Sequence, residues 1–213
     1  MVLQRTTGIP AVLLRRPVGV FRTADAAEVY AAPRPQLRRL VEAGLVHRLA
    51  NGLYAPIPAD SAGLPWKPGL EAAAGGIAAA VFGVDAVAVM GVSAARLHGA
   101  VPRAIAVAVV AVPRQRRPLR LADRDAEVIF VRRSLVRLDV ELTGTEVGDL
   151  LLTGIEQTAL DLAHRPALGG APDQAREGAV ALFDRADPGR LVRLAREQRL
   201  GASLTRLRGW ADA

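Results

Sequence analysis

Asn51-Gly52, set between LVHRLA and LYAPI, constrains this 213-residue chain more than any other feature. An Asn-Gly pair between two apolar runs is the strongest short-range hairpin signal, because the favoured two-residue turn needs a positive φ at both central positions. A β-hairpin is therefore expected over residues 45–57, and the elements before it decide what it belongs to.

Upstream, GIPAVLLRR at 8–16 suits a short helix and VFR at 20–22 a brief strand. Thr23 reads as the N-cap of a helix running to about Tyr30, with Asp25 in the first turn, where the helix dipole favours a carboxylate. APRP at 32–35 ends that helix and opens another, Pro35 suiting a first-turn position because its missing N–H is not needed there. Over Gln36–Ala43, Leu37, Leu40 and Val41 share one face, while Gln36, Arg38, Arg39 and Glu42 turn outward. Gly44 is the natural stop. Helix, helix, helix, hairpin is the order of a winged helix-turn-helix, whose third helix enters the major groove while the hairpin wing touches the neighbouring backbone or minor groove.

In that arrangement Arg38 and Arg39, with Arg34 and Gln36 near the helix start, can reach phosphates and base edges. His47, Arg48 and Asn51 stand on the wing, and Thr23 heads the second helix as a further DNA-contact candidate. Residues 1–60 hold eight arginines against four acids, a net +4 out of the chain's +7. Together with a pI near 11.1 this favours a polyanionic partner. Only Lys67 is lysine, a bias that a GC-rich genome explains more cheaply than function does. Glu42 opposes phosphate binding, although it can pair with Arg38 one turn away. Helix-hairpin units with surface arginines also occur in proteins that never meet DNA, and winged helices also serve in protein interactions.

AGLPWKPG at 62–69 has the Pro and Gly density of a linker, which gives a DNA-binding domain over 1–62 and a second domain over 70–213. In the second, Leu70–Phe82 is an Ala-rich helix and AVAVM at 86–90 a buried strand or helix end. Ser93–Gly99 is a short helix with Ser93 as N-cap and Leu97 inward. Strands follow at 105–112, 126–133 and 136–142, then helices at about 153–164, 172–185, 187–197 and 201–210. The expected class is α/β (α+β), a winged helix followed by a larger mixed α/β part with a helical tail.

Chemistry is mostly absent. No phosphate-binding glycine loop occurs, cysteine is lacking, and His47, His98 and His164 have no ligand spacing, so neither metal nor cofactor is expected. Gly91-Val92-Ser93-Ala94-Ala95 approaches a nucleophile elbow, with Asp161 and His164 downstream. Its fifth position is Ala, no oxyanion motif precedes it, and two triad members at i, i+3 on one helix make an unusual geometry. An esterase-like hydrolase using Ser93 is thus the minor reading, and no enzyme is expected. Asp139 and Glu141 share a strand face, read as solvated. Nine arginines between Arg103 and Arg137 form either a second anion-facing surface or the exposed side of a sheet. The N-terminus does not read as a signal peptide, and no apolar run approaches the roughly 20 residues of a membrane span, so a cytoplasmic protein is expected.

The segments GVFRTADAAEVYAAPRPQLRRLVEAGLVHRLANGLYAPI, GVSAARLHGAVPRA and LLLTGIEQTALDLAHRP, in this order, resemble the AbiEi family of antitoxins from AbiE-type toxin-antitoxin systems. Arg38, Leu40, Gly44-Leu45, Arg48, Gly52 and Tyr54 follow that family's winged-helix cadence approximately. The resemblance implies an autorepressor that binds operator DNA at inverted repeats upstream of its own operon and counteracts a nucleotidyltransferase toxin. A stand-alone regulator with a ligand-sensing or dimerising C-terminal domain is the alternative.

Overall fold

The computed structural model describes residues 8–16 and 18–213. Its N-terminal part runs α1 (Ala11–Leu14), β1 (Phe21–Arg22), α2 (Thr23–Ala26), α3 (Pro33–Glu42), β2 (Val46–Ala50) and β3 (Leu53–Pro56). The three strands form one antiparallel sheet in the order β1-β3-β2. This is the winged helix-turn-helix arrangement.

Several boundaries differ from expectation for local reasons. Arg22, not Thr23, is the N-cap of α2, and the carboxylate of Asp25 accepts the Arg22 backbone N–H at 2.7 Å. Thr23 instead gives its N–H to the Gly52 carbonyl at 2.9 Å. The α2 helix stops at Ala26, after which Val29 N–H turns back to the Ala26 carbonyl. In contrast, α3 begins at Pro33, three residues early, because both Pro33 and Pro35 fall in a first turn whose N–H groups need no intrahelical acceptor. Of the Asn51-Gly52 pair only Gly52 has positive φ, at +74°, and the ladder shifts by one residue between Arg48 and Ala50. The turn is thus accompanied by a bulge rather than being the mirror-image two-residue type.

Past 62–69, which contains no helix or strand, α4 (Leu70–Phe82) leads into a six-stranded sheet in the order β6-β7-β5-β4-β9-β8. Its strands are β4 (Ala88–Val89), β5 (Val107–Val112), β6 (Leu119–Arg120), β7 (Glu127–Arg132), β8 (Val140–Thr145) and β9 (Gly148–Thr153). The helices are α5 (Gly91–Leu97), α6 (Ile155–His164), α7 (Pro172–Phe183), α8 (Pro188–Glu197) and α9 (Gly201–Ala211). Strand β5 pairs parallel with β7 and antiparallel with β4, so the sheet is mixed. The expected strand at 136–142 lies instead at 140–145. Its register is set by the hairpin with β9, and Leu135–Arg137 forms a 3-10 turn.

The sheet is covered on both sides. Ala108, Val110, Val112 and Phe130 face α4 and the back of the β2–β3 hairpin. Met90, Val109, Ala111 and Val131 face α5–α9. Two-sided burial is why β5 reads as an unbroken β-branched run. Helix α4 fits because Gly75 and Gly76 carry no Cβ. One on Gly75 would lie 2.5 Å from Leu150 Cδ1, and one on Gly76 2.5 Å from Val20 Cγ2.

Candidate nucleic-acid interface

Helix α3 is seated by Leu37 and Leu40, which pack with Leu13, Phe21, Ala26 and Val46, flanked by Tyr30, Val41 and Tyr54. Phe21 and Tyr54 stack at 6.0 Å beneath it. Burying that stripe leaves Arg34, Arg38 and Arg39 exposed together on the opposite face, with Gln36 half-buried at its margin. Arg38 Nε donates to Glu42 Oε1 at 2.8 Å. Among the described residues Arg34, Arg39 and Arg48 have no acidic partner within ion-pair distance.

The start of α2 is tied by hydrogen bonds and an ion pair. Asp25, 2% exposed, receives Arg22 Nη2 at 2.8 Å and lies 3.4 Å from Arg16 Nη2. Burial works against its ionisation, but the hydrogen bonds from Arg22 and the charge of Arg16 hold it below the usual carboxylate value. Thr23, half-buried, lines a shallow groove with Ala24, Ala27, Pro33, Arg34 and Pro35, so the structure brings Thr23 and Arg34 together between α2 and α3. On the wing Arg48 and Asn51 are exposed. His47 is not free: its Nε2 lies 2.8 Å from Asp123 Oδ2, beyond the sheet.

The arginine-rich stretch divides. Arg114, Arg116, Arg117 and Arg120 are exposed around the β5–β6 loop. Arg124 instead holds Asp123, and Arg133 reaches inward to Asp161 at 3.1 Å. Sequence reasoning missed Asp123, Arg124 and Trp66 as supports of the wing, and no local pattern marks a pairing across 76 residues.

The hydrolase constellation is not assembled. Ser93 lies inside α5, whose N-cap is Met90, and its fully buried Oγ accepts the Val109 N–H at 2.9 Å. His164 is exposed beside Ser203, and Asp161 is bound to Arg133 and Gln157. Leu97, expected inward, is 40% exposed, because starting the helix at Gly91 turns Val92, Ala94 and Ala95 to the core instead. Nor is Asp139 solvated, since Arg190 Nη2 donates to it at 2.5 Å, whereas Glu141 is exposed.

The family described as "Transcriptional regulator, AbiEi antitoxin" matches residues 9–57, and that described as "AbiEi antitoxin C-terminal domain" matches residues 86–210, more than half of the chain. The chain belongs to the AbiEi antitoxin family. Its first match spans the AbiEi winged helix from α1 to the wing, and its second the sheet and helical tail. The RV2827C protein from Mycobacterium tuberculosis shares the fold, with a TM-score of 0.54 at 19% identity over 95% of this AbiEi chain and 78% of that one. Among curated proteins no relative matches. AbiEi families are regulatory in type, and no helix among the described residues is long and apolar enough to cross a membrane.

Proposed function

We propose that this AbiEi-family protein is a cytoplasmic autorepressor and antitoxin without catalytic activity. Residues 1–62 bind operator DNA at inverted repeats upstream of its own operon, and residues 70–213 counteract a nucleotidyltransferase toxin. The observation that carries the DNA-binding half is the shared exposure of Arg34, Arg38 and Arg39 on the face of α3 opposite its apolar stripe. Arg34, Gln36, Arg38 and Arg39 enter the major groove, Arg48 and Asn51 follow the backbone from the wing, and Thr23 contacts phosphate at the head of α2.

Fluorescence anisotropy on the native upstream duplex and on a scrambled one, at two salt concentrations, tests this. Tighter native binding that persists at the higher salt is expected. Arg38→Ala with Arg39→Ala should weaken native binding about ten- to hundredfold if base contacts are lost. It should flatten the salt slope by about one per lost phosphate contact. Equal, salt-erased binding to both duplexes overturns the repressor half. Co-expression with a neighbouring toxin gene tests the other, and undiminished toxicity overturns it.

A further inference from the structure

The two faces of the β2–β3 hairpin belong to different cores. Val46 and Tyr54 pack under α3, in a cluster that no residue beyond 54 enters. Leu49, Ala50, Leu53 and Ala55 pack on the other side with Leu121, Ala126 and α4. At the ladder offset, the Leu49 carbonyl accepts the Ala122 N–H at 2.8 Å. One residue on, Asp123 takes His47 Nε2 at 2.8 Å, with the Trp66 ring edge-on to the imidazole. Arg124 donates Nη2 to Asp123 at 2.7 Å and to the Pro68 carbonyl at 2.8 Å. Asp123 is thus the junction of wing, linker and β6–β7 turn. Although its burial opposes ionisation, the bonds from Arg124 and His47 hold its carboxyl below the usual range, so it accepts and His47 donates.

We propose that Asp123 is a positioning residue for DNA binding: with Ala122 it fixes the wing against the six-stranded sheet, so that the C-terminal part presets where Arg48 and Asn51 stand relative to α3. The proposal rests on the DNA-binding reading above. A wing held before binding loses little conformational freedom on the duplex, whereas a loosened one must be ordered at the cost of affinity. His47 acts here by holding the wing. The turn, Asn51-Gly52, is tied at its other side through the Gly52 carbonyl, which accepts the Thr23 N–H at 2.9 Å. Because Val46 and Tyr54 keep their own packing under α3, freeing His47 from Asp123 loosens the outer part of the wing and leaves the groove helix seated.

The experiment uses the full-length protein and its native upstream duplex, read by anisotropy and hydroxyl-radical footprinting, with thermal melts alongside. Asp123→Ala should bind about tenfold more weakly. Its footprint should lose protection at the flanks the wing covers while keeping the central groove protection. Asp123→Asn, which retains an acceptor for His47, should restore most of the affinity and the flank protection. Should the alanine variant not fold, His47→Ala, which unties the wing but leaves Asp123 paired with Arg124, should lose the same flank protection, and a wild-type footprint there overturns the proposal. Wild-type affinity and footprint in Asp123→Ala overturn the positioning role and leave DNA binding standing. Uniform weakening across the whole footprint in a folded variant overturns it too. A wild-type protein that protects no duplex overturns both readings.

Discussion

Arg38 and Glu42 face each other one helical turn apart on the exposed side of α3, with Nε and Oε1 2.8 Å apart. The arginine therefore reaches phosphate or guanine only in competition with a carboxylate. Glu42→Gln removes that competitor and a charge that repels phosphate. Binding to the native duplex should tighten about two- to fivefold at low salt, with the log-log salt slope steeper by up to about one. An unchanged slope would mean that Arg38 stays off the DNA.

Asp25 joins three donors of Arg22, its backbone N–H, Nε and Nη2, to the Arg16 guanidinium at the head of α2, and is the only carboxylate buried in the winged helix among the described residues. Its folded value lies below its ordinary 3.8, so its contribution to stability is complete above that pH and is lost as pH falls through the folded value. Asp25→Ala should cost about 1–3 kcal/mol near neutral pH, because the Arg22 N–H loses its acceptor. In melts taken across acid pH, the variant's Tm should fall less steeply below about pH 4 than the wild type's.

Asp161 shows the opposite sign. Burial pushes its carboxyl up, ahead of the pull of the Arg133 charge and of the bonds from Arg133 and Gln157, and its Oδ2 is buried without a partner. A native state that holds the proton more tightly than the unfolded chain gains stability below the ordinary 3.8, and loses that gain as pH rises through the folded value. Asp161→Asn mimics the protonated form and should melt at or above the wild type near neutral pH. Asp161→Leu strands the donors of Arg133 and Gln157 and should cost about 1–3 kcal/mol. An asparagine variant as unstable as the leucine one would refute the sign.

Gly76 lies within α4, where alanine would ordinarily stabilise a helix. Here the added Cβ would meet Val20 Cγ2 at 2.5 Å and Val147 Cγ2 at 3.2 Å. Gly76→Ala should lower stability by about 1–3 kcal/mol through overpacking between the winged helix and the β8–β9 tip. A raised Tm would show that this junction yields.

Local order was largely legible. The bounds of α4 at 70–82 follow from the sequence, the four tail helices lie within two residues of their expected ends, and Arg38 pairs with Glu42 as their spacing predicts. Strand β9 was missed because Leu150, Leu152 and Thr153 are buried on both faces and run through Gly154 straight into α6, which blurs any period of two. Asp139 read as solvated because Arg190, its partner, is 51 residues away.

By itself the sequence determined most of the helices and strands, though not β6 or β9, that three helices precede a hairpin, and that α3 turns its arginines away from its leucines. Those properties depend on spacing of three, four or two residues along one backbone. Tertiary structure alone decided that the hairpin has two cores, that its ladder slips at Leu49, that His47 turns to Asp123 and that Asp161 lies buried against Arg133. These are contacts between residues far apart in the chain, and their energies come from burial and pairing that exist only once the sheet has closed over α4 and the wing.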